Sequence, residues 1–314
     1  VRLETLHRWL ASIIRGTDES LRLVLATLIT GGHLLLDDLP GTGKTSLARA
    51  LGALISVDGQ AARFRRIQFT PDLLPYDVTG VDIYDPARRR FSFVPGPVFA
   101  HILLADEINR ATPKVQSALL EVMNEGQVTV GGTSYRLDEL FMVIATQNPV
   151  NMEGTYPLPL AQLDRFMLRL SLGFPDEDTE LSILQDDPVH RSLPDLKPVL
   201  DRRDLLALRA EVAGLHCRAE LARAVVRLAA ATRGDARLRY GASPRGSQHL
   251  LAMMRARAYL DGRDYVSDTD LLELAVPVLA HRCPAVAPDV DAAEVIAELA
   301  QTVVGALREH DRVS

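Results

Sequence analysis

Residues 33–55 constrain this chain more than any other stretch: a short apolar run, HLLLD, enters the glycine-rich loop DLPGTGKT, and a helical pattern leaves it. The run reads as a buried strand, because it is brief, apolar and bounded by turn formers. The stretch 44–55 reads as a helix. Glycines in a loop of this kind let backbone N–H groups wrap an anion, and the following helix turns its N-terminus toward it. Pro40, Gly41, Thr42, Gly43, Lys44, Thr45 and Ser46 are therefore candidate phosphate-binding residues. Lys44 would reach the β and γ phosphates as a point charge, and the Thr45 hydroxyl would hold Mg2+, which favours hard oxygen ligands. An ordinary Gly/Pro turn is the bland alternative, and the flanking strand and helix weigh against it. The strict pattern has glycine where Asp38 stands, but Gly41 and Gly43 keep the tight backbone near the phosphates.

The rest of the chain continues the alternation. Leu3, Leu6, Leu10, Ile13 and Ile14 recur at helical spacing, Gly16 breaks the pattern, and a second helix follows Thr17 and Asp18. Residues 64–69 read as the next strand, and prolines and glycines then punctuate an irregular region, about 71–97, that holds a hairpin near 81–94. Residues 101–105 form an apolar strand ending in Asp106 and Glu107, after which Thr112 and Pro113 open a helix running to 123. Gly131 and Gly132 separate 127–130 from 133–137 as a hairpin turn. Further strands are expected at 141–146 and 166–170. Such alternation implies an α/β fold, a mostly parallel sheet flanked by helices.

Beyond about residue 175 the strand signal disappears and helices are expected at 205–212, 221–231, 243–260, 267–281 and 290–307. In the last of these, Ala292, Val295, Ile296, Leu299, Val303 and Leu307 make one apolar stripe, read as core rather than partner site. The expected division is an α/β core at 1–174 and a small all-helical domain at 175–314. The length suits two cores, since single domains usually hold about 100–200 residues.

Composition narrows the function classes. A formal charge of −6 gives no global reason to bind a polyanion, so no nucleic-acid partner is expected. Arg88, Arg89 and Arg90 form a short charge run at the hairpin tip, read as solvated rather than as a binding patch. Cys217 and Cys283 lie far apart, which supports neither a disulfide framework nor a metal site, and a reducing cytoplasm is the expected location. The apolar stretch at 21–29 falls short of the roughly 18 residues that would indicate a membrane span, so no membrane insertion is expected.

Two acids at the mouth of the strand ILLADE stand beside the place where a parallel sheet delivers the glycine loop. Asp106 suits a magnesium ion through water, and Glu107 suits the attacking water as general base. A helix N-terminal acid pair is the alternative, and Lys44 argues against it. Asn148 follows a strand end, where its amide could orient the same water or simply open a turn before Pro149. The stretches FRRIQFTPDLLPYDVTG, GPVFAHILLADEINRATPKVQSALLEVMNEGQVTVGG, ATQNP, EGTYPLPLAQLDRF and GASPR, taken in this order, resemble the MoxR-type AAA+ ATPases over most of residues 30–260.

That resemblance implies a P-loop NTPase core followed by a helical lid. It gives Lys44, Thr45, Asp106 and Glu107 the Walker A and B roles and Asn148 that of sensor 1. Arg165, in LDRF, matches an arginine finger acting on the nucleotide of the next subunit, and Arg245, in SPR, matches sensor 2; from the residues alone, either could be a surface ion pair. The region 71–97 corresponds to the family's helix-2 insertion and 126–138 to its pre-sensor-1 hairpin, elements that could face a central pore. Leu160 departs from the acid usual in the family, which removes a polar contact beside the finger. The implied function is Mg-ATP hydrolysis by a ring, expected to be a hexamer, that remodels or activates a partner protein, often one with a von Willebrand A domain. Two alternatives stay open: a nucleic-acid motor related to helicases, and a weakly hydrolysing regulatory switch. The acidic balance counts against the first, and Glu107 with Arg165 counts against the second.

Overall fold

The computed structural model describes residues 2–87, 89–148 and 154–313, the side chains of 310–313 excepted; Arg88 and Pro149 lie outside the described residues. The chain forms two compact units. The first comprises Val1–Leu21, His33–Arg165 and Ser171–Leu205, and the second Arg22–Gly32, Phe166–Leu170 and Leu206–Ser314.

The expected α/β architecture is the one observed. In the first unit Leu34–Asp37, Met142–Gln147, Ile102–Asp106 and Phe64–Gln68 run parallel in that order. The first three of these strands are continuous apolar runs because both faces are covered: Leu34, Leu35 and Leu36 are fully buried, as are Leu103, Leu104, Val143 and Ile144. Phe64–Gln68 pairs on one side only within this unit, and its burial is uneven, with Ile67 inside and Arg66 and Gln68 exposed. Parallel register has a direct consequence for function. Asp37 pairs with Gln147, Ala145 with Ala105 and Gln68 with Asp106, so the polar ends of separate strands converge on one edge.

Helices cover the sheet for reasons visible in their sequences. Arg2–Ile13 buries Leu6, Leu10 and Ile13 and packs on Lys44–Leu54, which buries Leu47, Leu51 and Leu54. Pro113–Glu125 starts with Thr112 at its N-cap position and stops at Gly126, whose φ of 62° is the left-handed conformation that ends helices. Both expected hairpins form, Gly80–Asp85 with Arg90–Pro95, and Gln127–Val130 with Thr133–Arg136. The second turns on Gly131 and Gly132 at φ 56° and 80°, the positive pair that a two-residue turn demands. The two hairpins touch: Phe93 stacks on Tyr135 with ring centroids 4.0 Å apart and planes 15° from parallel.

Three details differ from the sequence reading. The helix expected to reach residue 55 ends at Leu54, and Ile55–Val57 instead pairs with Gln60–Ala61 through Asp58 and Gly59, both at positive φ. A β-branched pair, Ile55 and Val57, followed by a turn dipeptide favours a strand over another helical turn. Leu200–Asp201 adds to Ile55–Val57 as a short parallel strand, in a region where only helices were expected. In the second unit, the stripe of Ala292–Val313 slips by one residue partway along. Val295, Ile296, Ala300, Val304 and Leu307 are the buried positions, while Leu299 and Val303 sit at its margin.

Otherwise the second unit is helical as expected, built on Ala219–Gly234, Pro244–Leu260, Asp268–Leu279 and Ala292–Val313, with the short strand Leu168–Leu170. Ser267 caps Asp268–Leu279 in a reciprocal box with Asp270, and Ser243 caps Pro244–Leu260 through Gly246 N–H. No helix among the described residues is long and apolar enough to cross a membrane.

Candidate functional site

The glycine loop leaves its strand at Asp37 and enters its helix at Lys44. Gly41 and Gly43 adopt φ of 93° and 86°, which residues with a Cβ rarely tolerate. At Gly43 a Cβ would also come within 3.2 Å of Ile14 Cδ1. The Lys44 ammonium folds back on the loop, donating to Leu39 O at 2.5 Å, Asp38 O at 3.2 Å and Thr42 Oγ1 at 3.2 Å. Burial lowers its pKa from 10.5, partly offset by the field of Asp38 and then of Asp106, Glu107 and Asp37.

Asp38, the departure from the strict pattern, is 4% exposed and fully engaged. Its carboxylate accepts hydrogen bonds from Ser171 Oγ at 2.5 Å, Leu172 N at 2.8 Å and Gly173 N at 3.1 Å. The side chain therefore ties the beginning of the loop to a segment more than 130 residues away.

The two acids have separate anchors. Thr146 Oγ1 donates to Asp106 Oδ1 at 2.7 Å and accepts from Glu107 N at 2.8 Å, so one hydroxyl from the neighbouring strand sets both. Arg66 approaches Asp106 Oδ2 with Nη2 at 2.6 Å and Nε at 3.2 Å, and its Nη2 also donates to Gln68 Oε1 at 2.8 Å. Gln68 Nε2 in turn donates to Glu107 Oε2 at 2.9 Å, the oxygen that Arg110 Nη1 reaches at 3.0 Å. Glu107 has φ 55° and ψ 50°, left-handed backbone for a non-glycine residue, which costs about 1 kcal/mol or more.

These groups surround one cavity of about 420 Å3, within the range of roughly 300–1,000 Å3 usual for ligand sites. Pro40, Gly41, Gly43, Lys44, Thr45 and Ser46 line it from the loop and helix, and Asp106, Glu107 and Asn148 line it from the strand ends. Thr42 reaches the site through its contact with Lys44 rather than through the cavity wall. Arg165 is not among the lining residues. It is half-buried, its Nη1 donates to Leu120 O, and its Nε has no hydrogen-bond partner among the described residues. Arg245 belongs to the second unit, in the first turn of Pro244–Leu260. Leu160 opens the four-residue helix Leu160–Leu163, half-buried.

Sequence reasoning passed over Arg66, Gln68 and Thr146, all of which line the cavity. One signal was available: Arg66 and Gln68 are two apart on a strand and so share a face. What that face meets depends on register with a strand 38 residues later, which local spacing does not encode.

The donor set fits a magnesium ion. Thr45 offers a hydroxyl and Asp106 a carboxylate on the same cavity, both hard oxygens. Among the described residues no group of three or more His, Cys, Asp or Glu could hold a metal by itself, so an ion here would complete its shell from water and phosphate, as magnesium usually does.

The chain is similar to known proteins over most of its length. The family described as the ATPase family associated with various cellular activities (AAA) matches residues 33–168, and the AAA lid domain matches residues 230–299. The chain is 47% identical over 260 residues to the uncharacterised protein YeaC of Bacillus subtilis, covering 83% of this chain and 80% of that one. It is 40% identical over 304 residues to the chaperone MoxR1 of Mycobacterium tuberculosis, covering 93% and 79%. Protein MoxR of Paracoccus denitrificans is 32% identical over 298 residues, covering 87% and 86%. A crystal structure from Cytophaga hutchinsonii, described as a candidate ATPase, superposes with a TM-score of 0.85 at 36% identity, covering 95% of this chain and 93% of that one.

Proposed function

This chain belongs to the MoxR family of AAA+ ATPases, and from that premise we propose that it binds Mg-ATP in the cavity at the strand ends and hydrolyses it, as a ring, to remodel a partner protein. One observation carries the reading: Lys44 and Thr45, Asp106 and Glu107, and Asn148 come from three separate segments and line the same cavity.

In this reading the loop N–H groups and Lys44 hold the phosphates, and Thr45 and Asp106 hold the magnesium ion. A bound ion would neutralise charge on the phosphates. Glu107 takes the proton of a water attacking the γ phosphorus, and the bond to the bridging oxygen breaks, leaving ADP and inorganic phosphate. Asn148 orients that water. Arg165 acts on the nucleotide of an adjoining copy, where an arginine finger contributes roughly 10³–10⁵ in rate. Its position outside this chain's own cavity supports that assignment. Arg245 is assigned to the lid, as the residue that brings it to the nucleotide. A hexameric ring in the cytoplasm, with a von Willebrand A domain protein as client, is the assembly this reading favours.

Calorimetric titration with a nonhydrolysable ATP analogue and Mg2+ tests the first step; no heat, with no retention of analogue on folded protein, sinks it. For the second step, Glu107→Gln should keep analogue affinity within a few-fold while lowering turnover by at least about 100-fold. Unchanged turnover would remove Glu107 from the role of base. A pull-down with Glu107→Gln held in ATP should then retain the client.

A further inference from the structure

Asp106, 14% exposed at its side chain, divides its two oxygens between different partners. Oδ1 is taken by the Thr146 hydroxyl at 2.7 Å, on an element of the sheet itself. Oδ2 receives both Nη2 and Nε of Arg66, at 2.6 and 3.2 Å, from a side chain that is 47% exposed and lines the cavity. A carboxylate oxygen has about two lone-pair sites, and Arg66 uses both on Oδ2. Thr146 fills one of the two sites on Oδ1, so while Arg66 stays in place the carboxylate keeps at most one site for a water of the magnesium shell, beside a guanidinium that repels the ion.

We infer that Arg66 is a placeholder for the divalent cation: it balances the Asp106 carboxylate and gives up Oδ2 when the metal-nucleotide complex seats. The inference rests on the nucleotide reading above and deepens it by assigning Arg66 as a positioning residue. The exchange is electrostatically matched, because one cation leaves the carboxylate as another arrives. It is also mechanically open, since Arg66 stands on a strand paired on one side only within its unit, and half of its side chain already faces solvent. Its second contact, to Gln68 Oε1 at 2.8 Å, keeps the guanidinium near the cavity mouth.

Competition of this kind has a sign that other roles do not share. The measured quantity is the ratio of ADP dissociation constants in EDTA and in Mg2+, taken by calorimetry. In the unaltered chain Arg66 shields Asp106 from the phosphates when metal is absent and opposes the metal when it is present. Both effects hold the ratio down. In Arg66→Gln the bare carboxylate repels metal-free ADP and accepts the metal without a rival, so the ratio should rise by roughly tenfold, the scale of one charged hydrogen bond. Arg66→Lys keeps a charge and should fall near the unaltered ratio. If Arg66 merely supported the strand, both constants would shift together and the ratio would stay within about twofold. If it held the phosphates in the bound state, Mg-ADP would weaken more and the ratio would fall. Either result overturns the placeholder, as does Arg66→Lys behaving like Arg66→Gln.

A readout on the unaltered chain removes any dependence on how the variants fold. The Arg66 Nε–H resonance should move on adding ADP with Mg2+ and stay near its free position with ADP in EDTA; an equal shift under both conditions overturns the inference. If the unaltered chain binds no nucleotide under either condition, the nucleotide reading fails and the placeholder with it. Equal ratios in binding-competent proteins bring down the placeholder alone.

Discussion

Replacing Asp38 by glycine would restore the strict phosphate-loop pattern, yet the structure predicts that it harms the protein. The carboxylate is 4% exposed and accepts from Ser171 Oγ, Leu172 N and Gly173 N. A hydrogen bond to a charged group contributes about 1.5–3 kcal/mol, and a buried donor left without a partner forfeits its desolvation cost. Ser171 is exposed, so its hydroxyl can turn to water, whereas Leu172 is 6% exposed and its N–H cannot. Counting only the two amides at the low end gives a loss of about 3 kcal/mol, localised to the segment they fix. Asp38→Ala isolates the side chain, and Asp38→Gly adds about 0.5–1 kcal/mol of backbone freedom. Hydrogen exchange followed by mass spectrometry on a peptide spanning 171–173 reads the local opening directly. Protection should fall by roughly 100-fold in Asp38→Ala, since each 1.4 kcal/mol is a factor of ten. A change of less than about threefold would show that the three hydrogen bonds are incidental and that the departure from glycine has no structural purpose.

Two further expectations follow from the site. Burial holds the Lys44 pKa below 10.5, and phosphate needs the charged form, so Mg-ATP affinity should be flat near neutrality and fall as pH rises through the unliganded Lys44 pKa, with onset below 10.5. Lys44 should affect stability with the opposite sign. A lysine with a depressed folded pKa destabilises fully below that pKa, and the penalty is relieved as pH rises toward 10.5, so affinity and stability should diverge over that interval. An affinity curve that stays level through pH 10.5 would remove the ammonium from phosphate contact. For Arg165, mixing Arg165→Ala subunits with Lys44→Ala subunits should restore part of the turnover that each lacks alone, because some interfaces then pair an intact pocket with an intact finger. No recovery in assembled mixed rings would count against action across an interface.

The legibility of this fold in its sequence follows a physical line. Strands such as LLLD and ILLAD, buried on both faces, are readable because parallel sheets demand continuous apolar runs, and Gly131 with Gly132 is readable because their turn needs positive φ. Lys44, Asp106 and Asn148 were legible as candidates because each stands at the end of a strand or the start of a helix. Arg66, Gln68 and Asp38 were not, because their roles are relations between distant segments. Arg66 acquires meaning only from the register that sets Gln68 opposite Asp106, and Asp38 only from a chain crossing that brings Leu172 and Gly173 to it. The one-residue slip in Ala292–Val313 has a similar cause: small Ala300 fits inside where Leu299 was expected, a choice set by packing against Ala219–Gly234 and Asp268–Leu279.

The same distant relations give the pocket its order from within. The three charged groups of the cavity wall assigned to the nucleotide already have internal counterparts: Lys44 the carbonyls of Asp38 and Leu39, Asp106 the Arg66 guanidinium, Glu107 the Gln68 amide and Arg110. Unpaired, these partly buried charges would each carry a desolvation cost. Paired, they would make the proposed nucleotide binding an exchange of partners rather than the filling of a void. Under the proposed reading, net affinity would be what the phosphates and their metal contribute less what the internal hydrogen bonds had contributed before release. In the proposed turnover these internal partners would recapture the charged groups as product departs.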